Sequence, residues 1–285
     1  MAECPRVRDS GLYHSILALI DDLHALCEVH KYVDDTTLSE LIPPSCAVSN
    51  MSSSLFASLL LWTANNNMQI NTSKTKEIFL GRLNPANFSR LSTATGSVER
   101  VTAFKLLVIN FEANLSWSLH INTITASKHL YFLKQLKRAS VSTDQLLHVY
   151  DAVVWPVLEY CTPVWHYAIT HTQTEQIEST QKRAICIIFP FTCEISYPYA
   201  LFAANLNSLH SRRYNISKSF VSCDPSSCVH HLLPPPRDTF VLSWLRTVTP
   251  LPRLSFRTKE HSFIIYALNN YQESTKLTQN PTLPT

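Results

Sequence analysis

Two adjacent carboxylates in the run Tyr32-Val33-Asp34-Asp35 are the residues of this chain whose types and spacing point most directly to chemistry. Short apolar runs flank them, so 29–33 reads as a strand, Asp34 and Asp35 as the tip of a hairpin, and 36–42 as the return strand. Carboxylates presented together at an exposed turn are hard oxygen ligands of the kind that magnesium takes. The pair also has a plainer reading, because aspartate at a turn bonds its own backbone and is common there without any ion. The surrounding segments have to choose between the two.

A second group is cationic. Beyond residue 121 the apolar pattern becomes helical, with Leu130, Phe132, Leu133 and Leu136 expected on one side and Lys128, Lys134, Lys137 and Arg138 largely on the other. No acidic residue occurs between Glu112 and Asp144. Such a stripe is either a solvated helix face or a surface that tracks phosphates.

The elements that must position these groups mix helix and strand, giving an α+β class. Leu55, Phe56, Leu59 and Trp62 recur at helical spacing behind the capping serines 52–54, which predicts a helix beneath the first hairpin, stopped at Asn65-Asn66-Asn67. A strand is expected at 78–80, ending at Gly81. A second hairpin follows, with one strand over 104–111, a turn at 112–114 and a return at 115–117. Asp144 is expected to cap a helix carrying Leu146, Leu147, Tyr150, Val153 and Val154, and Pro156 to kink or end it. An apolar helical run continues over 157–165, and Ile177, Ala184, Ile185 and Ile188 mark a further amphipathic helix. Pro234-Pro235-Pro236 reads as a stiff extended connector, and 256–271 as a last helix with Phe263, Ile264 and Ala267 on its apolar face.

Composition narrows the functional classes. A chain of 285 residues with ordinary apolar content buries a sizeable core in one to three domains. Its 24 Lys and Arg against 21 Asp and Glu leave a net charge of +3, too small to mark a nucleic-acid protein without a local cluster. Three glycines leave no room for a dinucleotide or Walker-type phosphate loop. The eight cysteines follow no export-type N-terminal segment, so reduced thiols in an intracellular, soluble protein are expected, with nucleus or cytoplasm left open. No apolar stretch approaches the ~18 residues of a membrane span. Cys223, Cys228, His230 and His231 have poor spacing for tetrahedral zinc, and Cys186 and Cys193 are expected as core thiols.

Taken in order, these segments resemble the reverse transcriptases of non-long-terminal-repeat (LINE-type) retrotransposons, over about residues 19–272. HKYVDDTTLSELIP is similar to the family's catalytic hairpin, and LLWTANNNMQINTSKTKEIFLG to the helix and loop after it. VERVTAFKLLVINFEANLSW resembles the primer-gripping hairpin, and HINTITASKHLYFLKQLKRA the first thumb helix. VYDAVVWPVLEYCTPVWH and QKRAICIIFP resemble the helices that follow, and DPSSCVHHLLPPPRD the closing segment of metazoan elements.

The resemblance implies RNA-templated DNA synthesis, with an RNA template and a DNA primer as partners and Mg2+ as cofactor. It places Asp34 and Asp35 as catalytic metal ligands, and Lys74 or Lys76 near the departing pyrophosphate. Its fold would be a truncated palm over 1–118 with two β-hairpins and a packed helix, thumb-like helices over 119–170, and a mainly helical extension over 171–285. A further aspartate comes, in the family, from an upstream strand that this chain as read begins too late to contain. Asp21 and Asp22 cannot replace it, since the strand start lies ~15 Å from the tip and magnesium contacts are ~2.1 Å. The chain alone is therefore expected to be a catalytically incomplete fragment, with a separate N-terminal polymerase half among the partners considered. The alternatives are a non-catalytic nucleic-acid-binding module and a non-functional retroelement remnant. Val108 stands where the family usually has glycine, and strain follows if that position needs positive φ.

Overall fold

The computed structural model describes residues 28–32, 35–42, 54–81, 84–94, 96–125, 128–221, 233–238, 240, 247–248, 251, 263–271 and 275–276. The fold is mixed α+β, and the chain divides into two compact units, Met1–Ser116 and Trp117–Thr285. The expectations for Asp21 and Asp22, for Cys223, Cys228, His230 and His231, and for the start of the last helix lie outside the described residues.

In the first unit, β1 (Glu28–Tyr32) and β2 (Asp35–Ser39) form an antiparallel ladder that closes on the pair Tyr32 and Asp35. Asp35 is therefore the first residue of the return strand and not a turn residue. The helix α1 (Phe56–Asn65) packs Phe56, Leu59 and Leu60 against Leu91, Val98 and Ile70. Its N-cap is Leu55, without a side-chain cap, so the serine cap is not made there. It stops as expected, with the Asn66 N–H donating to Trp62 O at 3.1 Å and Asn67 left-handed at φ 53°.

Strand β3 (Lys76–Ile78) runs parallel to β6 (Glu99–Val101), and their register sets Lys76 against Glu99 and Glu77 against Arg100. Arg100 donates to Glu77 at 2.7 Å and to the carbonyls of Pro85, Phe88 and Ser89, while its guanidinium lies 4.8 Å from the Phe79 ring centroid. One side chain thus ties the 85–89 loop to the parallel pair. Within that connection β4 (Ser92–Thr93) and β5 (Gly96–Ser97) make a short ladder of their own.

The second hairpin corrects the sequence expectation. The apolar run holds both strands, β7 (Ala103–Leu106) and β8 (Ile109–Glu112), and the turn falls inside it at Leu107 and Val108. Both turn residues are left-handed, at φ 44° and 73°. A hairpin turn of this type asks for glycine or asparagine, and an uninterrupted apolar run carries no such signal. Val108, a β-branched residue, sits in the region where its side chain is most crowded.

The second unit is helical. Here α2 (Ser118–Ile124), α3 (Lys128–Arg138), α4 (Thr143–Val149), α5 (Trp155–Glu159), α6 (Thr162–Trp165) and α7 (His171–Ile188) surround one apolar core, which includes Ile121, Leu130, Leu133, Leu146, Tyr150, Leu158, Trp165, Ile177 and Ala184. Ser142 caps α4 by accepting from the Gln145 N–H, and Asp144 occupies the first turn instead of capping it. A π-helical turn at Tyr150–Val154 precedes Pro156, which stands in the first turn of α5 where its missing N–H is harmless. The helix expected over 157–165 is broken at Cys161, left-handed at φ 49°, and the break is stapled by the Trp165 indole donating to Tyr160 O at 2.9 Å. Thr170 and Gln173 form a reciprocal capping box that starts α7.

Helices α8 (Tyr197–Ala203), α9 (Leu209–Val221) and α10 (Phe263–Asn270) complete the unit, with β9 (Thr247–Val248) paired to β10 (Thr275–Lys276). The start of α9 is held by side chains of α7: Gln181 Oε1 accepts from the Leu209 N–H at 3.2 Å and Glu178 Oε1 from the His210 N–H at 2.6 Å. Buried Arg213 lies 3.8 Å from the same Glu178 carboxylate, and Arg212 forks onto Glu159 at 2.6 and 2.9 Å while covering the Trp155 ring. His166, buried beside His210 and Arg213, has its pKa pushed down to about 4 by desolvation first, then by the Arg213 guanidinium and the neighbouring His210.

Two outcomes test these assignments. Replacing Val108 by glycine relieves the left-handed strain and raises the unfolding free energy by about 1 kcal/mol, less whatever glycine costs in chain entropy. A lowered urea midpoint for Val108→Gly would contradict the turn assignment. For His166 the folded pKa lies below the unfolded ~6.5, so the unfolded state binds the extra proton between the two values. Stability is full above pH ~6.5 and falls by up to about 3 kcal/mol as pH drops toward 4. His166→Asn should flatten that part of the pH–stability curve, and an unchanged slope would show that the histidine is not its source.

Candidate functional site

Of the Asp34–Asp35 pair the described residue is Asp35, exposed at the start of β2 and opposite Tyr32, which is 63% exposed. Val33 and Asp34 lie outside the described residues. Among the described residues no group of three His, Cys, Asp or Glu side chains converges as a metal site. Asp35 by itself supplies one of the oxygen ligands that a magnesium ion takes.

The two lysines expected near a departing pyrophosphate differ. Lys76 Nζ is engaged by Glu99 across the β3–β6 pair at 2.5 Å. Lys74 is exposed in the turn after α1, where its backbone N–H donates to Asn71 O and Oδ1 at 3.1 and 3.2 Å. Of the two ammonium groups, Lys74 is the one without an ion pair among the described residues.

In the helical unit the cationic stripe keeps Lys134 and Arg138 on the solvent side, as expected, and departs from the expectation at Lys137. Lys137 follows Leu130 by seven positions and Leu133 by four, spacings that put it on the same side as the core leucines. It is half-buried there, and its ammonium donates to Ile188 O at 3.2 Å, closing the C-terminal turn of α7. Lys134 and Arg138 are exposed. Lys128 belongs to α3, and its side chain is outside the described residues. Phe132, expected with the apolar residues, is 53% exposed, whereas Leu130 and Leu133 are buried.

Between α3 and α7 runs a groove of about 510 Å³, lined by Leu130, Tyr131, Lys134, Lys182, Arg183, Cys186, Ile187 and Cys193. Three of these are cations and none is a carboxylate. Lys182 and Arg183 were not singled out in the sequence, although they follow the buried Gln181 and precede the buried Ala184 and so flank the inward face of α7. Cys186 is half-buried in α7, and Cys193, expected in the core, is exposed in the turn after it, 3.7 Å from Cys186 O. The Cys193 thiol is pushed up by its contact with Cys186, with lesser help from burial and Glu194, so it stays protonated at neutral pH. What this surface can do is bind: it offers fixed positive charge beside apolar area, and no activated nucleophile.

No protein-family model, no curated protein and no solved structure matches the chain. Among the described residues no helix is long and apolar enough to cross a membrane.

The different settings of the lysines give a direct check. Lys137→Met removes a bond to a C-terminal carbonyl of α7 and should lower the unfolding free energy by about 1 kcal/mol. Lys134→Met should stay within about 0.5 kcal/mol of the parent. Equal effects in chemical denaturation would remove the clamp assigned to Lys137.

Proposed function

We propose that this chain is a polypeptide of the non-LTR retrotransposon reverse-transcriptase type, and that on its own it binds nucleic acid without adding nucleotides. The observation that carries the reading is Val108. The resemblance aligns it with a family glycine, and its φ of 73° is what a glycine position of that kind requires. The order of elements supports the same reading: an antiparallel hairpin whose ladder closes on Tyr32 and Asp35, a helix, a second antiparallel hairpin, then the cationic helix α3. In that reading 1–118 corresponds to part of a palm and the helices after it to a thumb and extension.

RNA template and DNA primer are then the partners, met by exposed Lys134 and Arg138 with Lys128 on the same helix. Asp34, Asp35 and Lys74 stand where the family uses Mg2+ and meets pyrophosphate. Binding, and not bond formation, is the activity assigned to this polypeptide.

Purified protein given primed RNA, nucleotides and magnesium should leave the primer unextended, yet retain an RNA–DNA duplex with steeply salt-dependent affinity. Neutralising Lys134 and Arg138 should reduce the log–log salt slope by about 2 if each meets one phosphate. Extension that Asp34→Ala abolishes would overturn the non-catalytic assignment, and an affinity flat in salt would overturn the nucleic-acid assignment.

A further inference from the structure

The groove between α3 and α7 combines two properties that a duplex cannot use together. Leu130, Ile187 and Cys186 supply apolar lining, while Lys134, Lys182 and Arg183 supply positive charge. Tyr131 also lines the groove and is 64% exposed, with no ring contact, hydrogen bond or ion pair among the described residues. Lys134 and Lys182 make no ion pair among the described residues, and Arg183 donates only to the hydroxyl of Thr180 on its own helix, at 3.3 Å.

A small inorganic anion would satisfy the cations and leave the apolar lining and the tyrosine ring wet. An apolar ligand would cover the lining and leave three charges without counterions. A duplex presents phosphates but keeps its base faces stacked inside. A single strand presents both, a phosphate chain for the cations and a free base face for an aromatic ring. The volume, about 510 Å³, lies in the range of ~300–1,000 Å³ that compact organic ligands occupy.

We propose that this groove seats a single-stranded segment of nucleic acid, with one base stacked on Tyr131 over Leu130 and Ile187 and the neighbouring phosphates against Lys134, Lys182 and Arg183. The assignment rests on the nucleic-acid reading above and deepens it. It makes α7, as well as α3, part of the binding surface.

The test uses the full chain and fluorescence anisotropy with two probes, a labelled 12-nucleotide oligothymidylate and a labelled blunt RNA–DNA duplex of the same length. Tyr131→Ala should weaken the oligothymidylate about tenfold, the scale of one lost base–aromatic stack, and change duplex affinity less than twofold. Tyr131→Phe should keep both affinities. Because Tyr131 is exposed, thermal unfolding of both variants should match the parent. As an independent readout, oligothymidylate should slow iodoacetamide alkylation of Cys193 in the parent protein, followed by mass on its peptide.

Oligothymidylate binding that ignores Tyr131→Ala, or equal weakening of both probes, would overturn the groove assignment while salt-dependent duplex binding kept the broader reading intact. Failure of both probes to bind would remove the two readings together.

Discussion

The helical unit depends on a polar contact made by one helix on behalf of another. The first N–H groups of any helix lack partners within it, and burying them unpaired costs several kcal/mol. At the start of α9 the Leu209 and His210 N–H groups are met by Gln181 and Glu178, which α7 supplies from one turn of its inward face. The same carboxylate faces the buried Arg213, and Tyr197 Oη lies 2.5 Å from Glu178 and 2.7 Å from Gln181, so a third helix is tied to the pair. Removing either partner of such a buried set leaves the other uncompensated, which fixes the rotation of α7 about its axis. That rotation in turn decides that Lys182 and Arg183 face the α3 groove and that the last carbonyl of α7 meets Lys137.

The strand-containing unit is organised differently. Its described ladders are two-stranded, and a lone pair of strands is marginal in water. Support comes from side chains: Arg100 binds the 85–89 loop to the parallel pair, and α1 covers Leu91 and Val98. The charged rung Lys76–Glu99 adds direction more than energy, because its glutamate is exposed, whereas Glu77–Arg100 is mostly shielded from water and belongs to the Arg100 network.

Periodicity made much of this legible. The buried positions of α7, at Ile177, Ala184, Ile185 and Ile188, follow helical spacing, and the first hairpin follows from apolar runs about a short polar tip. What escaped the sequence lay where geometry departs from its usual residues. Leu107, Val108 and Cys161 take left-handed dihedrals with side chains that normally avoid them, so a hairpin read as one strand and a broken helix read as continuous. The cationic face was half legible. Charge alone pointed outward, yet the distance of Lys137 from Leu130 and Leu133 already placed it beside the core. Tyr131, Lys182 and Arg183 become one surface only through the packing of α3 on α7, which no local pattern encodes.

The turn at Leu107 and Val108 bears on the order in which the second hairpin assembles. A hairpin with Asn-Gly at its bend can begin there and zip outward, since the bend is populated before any strand pair exists. Leucine and valine give no such head start. Closure has to begin at the open end, where Phe104 meets Phe111 and Ala103 meets Glu112, and must first bear the entropy of the intervening loop. The element whose bend is least willing is thereby made the one most dependent on its aromatic rung.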